Sequence, residues 1–265
     1  MIKFREDTTS LRNRINIHSQ FGQKDMVAWV SKFVKHKKHL KILDLACGDG
    51  VQTIKFSKLL FKKKIKHQIL GTDSNKDLLK IAKKNNSNKN ITYNKLNFDQ
   101  KFKFESEKFD LILCLFGIYY SKNIKKTLKE IKEILSENGQ IIFVGPLRDN
   151  KLDFNKILEN ATKRKIPPLI GSSRFDSKIY KEVKKRFKKT KLEKFKNVLK
   201  ISNRNIYLNY MISSVTSKRG VYKSFLKNTT ITTIEKKFNQ YLYNFFNKKK
   251  YMTITKKVGA IIAEK

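Results

Sequence analysis

The stretch "LDLACGDG" at residues 43–50 joins an apolar run that ends in an acid to a turn of small residues. The run "KILDLA" is typical of a strand, and the following "VQTIKFSKLLFKK" has the apolar spacing of a helix. A turn between a strand and a helix is the usual place for a nucleotide in an open α/β sheet. The sequence therefore predicts a binding turn here, with a tight turn that holds no ligand as the alternative.

The glycine spacing separates two kinds of nucleotide-binding turn. A dinucleotide fold needs G-x-G-x-x-G, and the two possible registers here place Val51 or Thr53 at the third glycine. The pattern present is instead an acid followed by alternating small residues: Asp44, Ala46, Gly48 and Gly50. Such a turn lets the backbone approach a nucleoside with an amino-acid tail and forms no dedicated phosphate cradle.

Strands and helices alternate through the first half of the chain. A packing helix is predicted over residues 24–36, and helical periodicity also fills the spaces between the strands. Strand character recurs at residues 40–45, 67–73, 90–97, 109–116 and 139–146. This alternation predicts a doubly wound parallel sheet.

The second half of the chain lacks the regular alternation of strands and helices. Residues 152–165 and 177–190 are predicted as helices, with a loop over 166–175 between them. Residues 193–201 and 252–265 are predicted as strands, and 202–250 as helices rich in Tyr and Phe.

The chain of 265 residues carries a formal charge of +39, which suggests nucleic acid or an anionic surface as a partner. Nine arginines among the 61 basic residues leave 52 lysines, spread along the chain and accompanied by much Asn, Ile and Phe. Nucleic-acid sites depend more on Arg. The coding bias of an AT-rich gene explains the high lysine content better than nucleic-acid binding does. A nucleic-acid partner is therefore possible but not favoured.

The sequence predicts neither a secretion signal nor a membrane-spanning segment. Cys47 and Cys114 are isolated, so they form no disulfide framework and no zinc pattern. We expect a reduced, cytoplasmic protein with no bound metal and no membrane partner.

Five motifs in order resemble those of class I S-adenosylmethionine-dependent methyltransferases of the type 11 kind, over about residues 12–146. They are "ILDLACGDG", "ILGTDSNKDLLKIAKKN", "YNKLNFDQ", "KFDLILCLFGIYY" and "LSENGQIIFVGP". The first departs from the family's pattern at Ala46, where glycine is commoner. The resemblance implies a Rossmann-like, doubly wound, seven-stranded sheet of order 3-2-1-4-5-7-6, with the last strand antiparallel and a helical cap.

The resemblance also implies S-adenosylmethionine as cofactor and a set of contacts to it. Asp73, which ends the second strand, would hold both ribose hydroxyls; its alternative role is to cap the next helix together with Ser74. The adenine would meet Asn97 and Phe98, with Asp99 as a rival to Asn97. The full set is Asp44, Ala46, Cys47, Gly48, Gly50, Asp73, Ser74, Asn97, Phe98 and Leu115.

Three parts of the chain follow from this reading. Residues 1–39 would form a helical segment over the cofactor, and 40–146 the cofactor-binding core. Residues 147–265 would add the edge strands and a helical lid at about 202–250.

Few residues are candidates for catalysis, because the sulfonium methyl is already activated and alignment supplies most of the rate. Tyr119 and Tyr120 follow the fourth strand and would orient the acceptor, with packing under the lid as the alternative. His18 would reach the site if the N-terminal segment covers the cofactor. His36 and His39 are expected in a solvated loop, and His67 at the start of a strand away from the active edge.

The acceptor is predicted to be a small molecule held under the lid. The family's members that methylate adenine or glutamine nitrogens carry Asn/Asp-Pro-Pro-Tyr/Phe after strand four, whereas this chain has "LFGIYY". The alternatives are an RNA methyltransferase that uses the basic surface, or a cofactor-binding scaffold without activity.

Overall fold

The computed structural model describes residues 16–18, 20–35, 37–104, 106–166, 170–215 and 230–265. The strands are β1 (His39–Leu45), β2 (Lys66–Asp73), β3 (Ile91–Lys95), β4 (Phe109–Leu115), β5 (Leu135–Pro146), β6 (Lys188–Ile201) and β7 (Met252–Glu264). The helices are α1 (Met26–Val30), α2 (Val51–Lys62), α3 (Lys76–Asn85), α4 (Ile124–Ile134), α5 (Leu152–Thr162), α6 (Ile170–Arg174), α7 (Tyr180–Lys184), α8 (Arg204–Val215) and α9 (Ile231–Phe246). The structure also contains two 3-10 turns, Ser31–Phe33 and Ile118–Tyr120, and one π-turn, Phe175–Ile179.

The seven strands form one sheet in the order β3-β2-β1-β4-β5-β7-β6. The pairs among β1 to β5 are parallel, whereas β7 runs antiparallel to β5, with Gln140 opposite Glu264. The predicted fold class, strand order and reversed last strand are therefore confirmed.

Alternate residues of the strands enter two apolar clusters of the larger unit. In β5, Ile142 and Val144 join one cluster, whereas Ile141 and Phe143 join the other. Successive side chains of a strand point to opposite faces, so a sheet covered on both faces needs a continuous apolar run. This is why the uninterrupted runs in β4 and β5 could be predicted as buried parallel strands.

Two helices of the sheet layers begin at asparagine residues that cap them. Asn75 caps α3, since its side-chain oxygen accepts hydrogen bonds from the backbone nitrogens of Asp77 and Leu78. Asn123 caps α4 in the same way. The alternative role for Asp73 and Ser74 as the cap of α3 is therefore wrong, because Asn75 is the residue that caps this helix.

Several predicted boundaries are also wrong. The helix predicted over residues 24–36 ends at Val30 and continues only as a 3-10 turn, and β5 already begins at Leu135. Within the loop predicted over 166–175, the described part from Ile170 is helix α6 followed by the start of the π-turn. The helix predicted over 177–190 stops at Lys184, because Lys188 begins a strand whose later side chains alternate between buried and exposed.

The predicted histidine positions are partly corrected. His39 begins β1 and does not lie in a loop. His67 lies near the start of β2 as predicted, buried between the Ser57 hydroxyl and the Ile65 carbonyl. His36 lies outside the described residues.

The chain divides into two compact units. The larger contains Met26–Arg148, Gly171–Phe195 and Val258–Lys265, and the smaller contains the described residues up to Asp25 with Asp149–Ile170 and Lys196–Lys257. The smaller unit has its own apolar cluster around Phe154, Tyr207 and Phe238. Its helices α8 and α9 lie where aromatic helices were predicted, and their role as a lid stays a prediction. In the part of the chain that the structure describes, no helix has the length and apolarity that crossing a bilayer requires.

Candidate cofactor site at the carboxyl edge of the sheet

The turn between β1 and α2 has an unusual backbone. Ala46, Gly48 and Gly50 all have positive φ angles, of 60°, 61° and 77°. This left-handed region costs an L-residue about 1–2 kcal/mol and costs glycine almost nothing. Gly48 and Gly50 therefore suit the conformation of the turn, whereas Ala46 adopts it at the cost of an L-residue.

The two glycines of this turn serve different purposes. A β-carbon placed on Gly48 would meet no atom within 4 Å, so the backbone there faces open space. A β-carbon on Gly50 would stand 2.5 Å from the Tyr93 hydroxyl and 3.0 Å from the Ala82 methyl. Gly48 thus leaves room for a ligand, whereas Gly50 is needed for packing within the protein.

Asp73 joins the ends of two strands. One oxygen of its carboxylate accepts a hydrogen bond from the Gly48 backbone nitrogen at 3.0 Å, and the other accepts one from Asn75 at 2.8 Å. Burial raises the pKa of Asp73, although these bonds and one from the Ser74 backbone oppose the shift. The carboxylate is held at the rim of the turn by these backbone donors.

Asp44 lies deeper, beneath the turn. It is 2% exposed, and one carboxylate oxygen accepts a hydrogen bond from the Thr53 hydroxyl at 2.6 Å. Its other oxygen is buried and has no hydrogen-bond partner among the described residues. Burial raises the pKa of Asp44 to about 7, and the nearby charge of Asp73 adds to the rise.

The end of β4 meets the same turn. A β-carbon on Gly117 would lie 2.5 Å from the Ala46 methyl, so the backbones that follow β1 and β4 are in close contact. Leu115, at the end of β4, is buried, and Phe116 after it has a positive φ of 62°. The backbone that follows Leu115 therefore adjoins the binding turn at Gly117.

The third motif forms a turn after β3. Asn97 is exposed, and its side-chain oxygen accepts a hydrogen bond from the Asp99 backbone nitrogen at 3.0 Å. The Asp99 carboxylate accepts one from the Lys122 backbone nitrogen at 2.8 Å. Phe98 is half-buried against the apolar cluster of this face. The adenine contact stays a prediction, with Asn97 more exposed than its rival Asp99.

The candidate catalytic residues fall into two groups. Tyr119 and Tyr120 lie in the 3-10 turn after β4, with ring centroids 4.5 Å apart, and Tyr119 is only 5% exposed. Tyr120 is the more accessible of the two. His18 lies in the smaller unit, where its ring meets that of Tyr210 edge-on at 6.0 Å. All three assignments stay predictions.

One residue of this region was missed in the sequence. The Arg174 guanidinium donates hydrogen bonds to the backbone carbonyls of Tyr119 at 2.8 Å and Ser121 at 3.0 Å. Arg174 ends α6, and the π-turn begins at the next residue. No local signal links Arg174 to the tyrosine turn, since the two are far apart in the chain.

The cysteines are packing residues in this unit. Cys47 and Cys114 are both buried free thiols, and burial raises the pKa of each. A thiol that stays protonated is a poor nucleophile and a poor metal ligand. The described residues contain no cluster of three or more potential metal-ligating side chains.

Comparison with known proteins agrees with this geometry. Residues 42–139 match the family described as methyltransferase domain. The uncharacterized protein MJ1252 of Methanocaldococcus jannaschii is 29% identical over 202 residues, which cover 71% of each chain. The ubiquinone/menaquinone biosynthesis C-methyltransferase UbiE of Wigglesworthia glossinidia brevipalpis is 34% identical over 108 residues, 39% of this chain and 42% of the relative. This chain thus matches less than half of the length of that enzyme.

A solved structure extends the likeness of fold to nearly the whole chain. The plantazolicin methyltransferase BpumL, in complex with a triazolic desmethylPZN analog and SAH, superposes with a TM-score of 0.50 and 16% identity, covering 97% of this chain and 92% of BpumL. The sheet order is that of a Rossmann-like fold of the kind found in methyltransferases. Residues 42–139 are a methyltransferase domain, and the comparisons support S-adenosylmethionine as its cofactor.

The residues present suit this cofactor. The turn offers open space over Gly48, the carboxylate of Asp73 beside it offers acceptor oxygens, and one oxygen of Asp44 is buried without a partner among the described residues. S-adenosylmethionine carries what such a site lacks, namely hydroxyl donors on its ribose and positive charge on its ammonium and sulfonium groups.

Proposed function

We propose that this protein transfers the methyl group of S-adenosylmethionine to a small-molecule acceptor. The observation that carries the proposal is the open backbone at Gly48, which adjoins the acceptor-only carboxylate of Asp73. When bound, S-adenosylmethionine supplies an activated methyl on a sulfonium centre. Support for a small acceptor comes from the relatives, one named for ubiquinone and menaquinone biosynthesis and one solved with a desmethylPZN analog.

Each residue of the turn has a distinct part in this proposal. Gly48 admits the cofactor, and Asp73 accepts hydrogen bonds from the two ribose hydroxyls. Asp44 accepts a donor at its unpartnered oxygen or holds the turn through Thr53. Ala46 lies where the turns after β1 and β4 meet, and Leu115 is the last residue of β4.

In this proposal the side chains of the protein position the acceptor and do not act on it as a general base. The described histidines of the larger unit lie away from the turn: His39 begins β1, and His67 is buried against Ser57. Tyr120 is placed after β4 to donate or accept a hydrogen bond. We therefore expect an acceptor whose nucleophile is available at neutral pH, since a strong base is required only for a weakly acidic O–H or a protonated amine.

The deciding experiment supplies labelled S-adenosylmethionine to a small-metabolite extract and, separately, to total RNA at physiological salt. We expect label to enter the small-molecule fraction. Asp73→Ala serves as the variant with weakened cofactor binding. Losing hydrogen bonds to a charged group lowers cofactor affinity by about 1.5–3 kcal/mol. At limiting cofactor this variant should transfer little label, while thermal melting shows that it is folded.

Two results would overturn the proposal. Label at one defined RNA position, with a silent metabolite fraction, would make the protein an RNA methyltransferase. Tight cofactor binding by calorimetry without transfer to either fraction would make it a scaffold.

A further inference from the structure

A basic groove of about 640 Å³ lies on the outer side of α4 in the larger unit. Exposed residues of α4 form one side, and Arg186 and Lys265 complete it. The lining residues are Lys125, Lys126, Lys129, Lys132, Glu133, Arg186 and Lys265. The lining thus contains six basic residues and one acidic residue, and two of the basic residues, Arg186 and Lys265, are paired with carboxylates outside the lining.

Three of these cations are fixed by the protein. The Lys132 ammonium donates to the Arg186 carbonyl at 2.8 Å, and Arg186 pairs with Glu182. The Lys265 ammonium pairs with Glu137 at 2.7 Å and donates to the Leu135 carbonyl. These contacts give the groove a rim of defined geometry.

The other three cations have no carboxylate within 4 Å in the described part of the chain. Lys125, Lys126 and Lys129 form none of the ion pairs found there. Lys125 and Lys129 are four residues apart on one helix face, a spacing at which like charges destabilise a helix by a few tenths of a kcal/mol. An anion in the groove would remove this repulsion.

The spacing of the lysines indicates an extended anion. Lys125, Lys129 and Lys132 follow each other at i, i+4 and i+7, which spreads their α-carbons over about 10 Å of helix. A single phosphate could meet only one part of such a row. A phosphodiester chain carries a charge at each unit and can meet the row along its length.

We propose that this groove is a docking surface for the phosphodiester backbone of a nucleic acid. The lining side chains include no aromatic residue on which bases could stack, so binding is expected to be independent of sequence. An anionic membrane fits less well, because membrane-surface sites add apolar side chains that enter the lipid. The surface is separate from the turn at Gly48 and does not depend on the identity of the methyl acceptor.

The test must separate a local site from the charge of the whole chain. The groove variant is Lys125→Gln, Lys126→Gln and Lys129→Gln combined. Its matched control is Lys80→Gln, Lys83→Gln and Lys84→Gln, which removes the same charge from exposed positions of α3. Binding of a labelled mixed-sequence RNA of about 20 nucleotides is measured by anisotropy from about 50 to about 200 mM salt.

We expect the groove variant to bind this RNA roughly 10-fold more weakly than the control near 100 mM salt. Its plot of log affinity against log salt should be shallower by about 2, since each lost single-strand phosphate contact removes about 0.7 from the slope. S-adenosylmethionine affinity, measured by calorimetry, should be the same in both variants.

An equal loss of RNA binding in both triple variants would overturn the proposal in favour of diffuse charge. RNA binding that is absent in the unaltered protein would also overturn it. Vesicles containing anionic phospholipid form a further arm, and a selective loss of vesicle binding by the groove variant, with RNA binding unchanged, would assign the surface to membranes instead.

Discussion

Gly48 and Gly50 have similar backbone angles and different reasons for being glycine. Both lie in the left-handed region, so any side chain costs about 1 kcal/mol or slightly more at either position. Beyond that shared cost, a β-carbon at Gly48 meets open space, whereas at Gly50 it meets Tyr93. The sequence pattern showed that both glycines are needed and could not show which one faces a ligand.

We predict that Gly48→Ala and Gly50→Ala separate ligand binding from stability. Gly48→Ala should melt within a few degrees of the unaltered protein, because a loss of about 1 kcal/mol shifts the melting temperature only modestly in a chain of this size. It should bind S-adenosylmethionine at least about 10-fold more weakly, since one methyl group occupies the cofactor's space. Calorimetry and thermal melting measure the two effects.

Gly50→Ala should instead lower the melting temperature further, through the contact with the Tyr93 hydroxyl. Adding Tyr93→Phe removes that oxygen and should recover part of the loss. If Gly48→Ala keeps full affinity, or if Tyr93→Phe gives no recovery, the assignment of the two glycines is incorrect.

Asp44 should make the stability of the protein without cofactor depend on pH. The unfolded chain releases this proton near its ordinary pKa of 3.8, whereas the folded chain keeps it until about 7. Between these values the unfolded chain binds fewer protons, so the free energy of unfolding falls as pH rises, by up to about 1.4 kcal/mol per pH unit. Above about 7 the contribution of Asp44 is constant.

We predict that Asp44→Asn flattens this dependence. Urea unfolding between pH 4.5 and 7.5 should show a smaller loss of stability with rising pH in the variant than in the unaltered protein. The difference between the two slopes isolates Asp44, because the other titrating groups are common to both proteins. Parallel slopes would mean that Asp44 is already ionised in the folded state at low pH.

At the scale of the elements, α6 and the turn after β4 act as a pair. Arg174 satisfies two carbonyls of the turn, and the ring of Tyr119 packs beside Gly171 of the same helix. The turn that contains the tyrosines is therefore stabilised by α6, a helix that lies about fifty residues later in the sequence. A charged donor shared by two carbonyls contributes about 1.5–3 kcal/mol.

We predict that Arg174→Met loosens the tyrosine turn locally. The backbone amides of Tyr120 and Ser121, which donate to Gly117 and Ile118, should exchange their hydrogens faster with solvent. Amides in the middle of β1 should be unaffected. Arg174→Lys keeps a donor and should show a smaller effect, and equal exchange in all three proteins would show that Arg174 does not hold the turn.

The elements show where prediction from sequence succeeds. Strands β1 to β5 and helices α2 to α4 were predicted because apolar periodicity and turn residues agree locally. The region 166–192 was predicted poorly, because its short helices depend on distant partners such as the carbonyls that Arg174 meets. Lysine-rich stretches also hide their periodicity, so the first residues of β6, 188–190, were predicted as helix. The strand predicted over 193–201 is confirmed by the alternate burial of Phe195, Asn197, Leu199 and Ile201.

At the scale of the whole molecule, family and cofactor could be read from the order of five motifs, whereas the acceptor could not. The motifs describe the half of the site that is common to these enzymes. The binding turn is specified by consecutive residues, but an acceptor site is assembled from side chains distant in sequence. Charge is likewise a property of the whole chain, and only the structure shows that six cations gather beside α4.

The position of β7 between β5 and β6 has a consequence for synthesis of the chain. The antiparallel pairing joins Gln140 to Glu264, 124 positions later. The hydrogen bonds of β5 on this side therefore cannot form before β7 has left the ribosome. Until then β5 is an open edge of the nascent sheet, carrying the apolar side chains Ile141, Ile142, Phe143 and Val144. An unpaired edge of this kind is a site of aggregation. A growing chain of this protein should therefore depend on chaperones during the interval between the appearance of β5 and the arrival of β7.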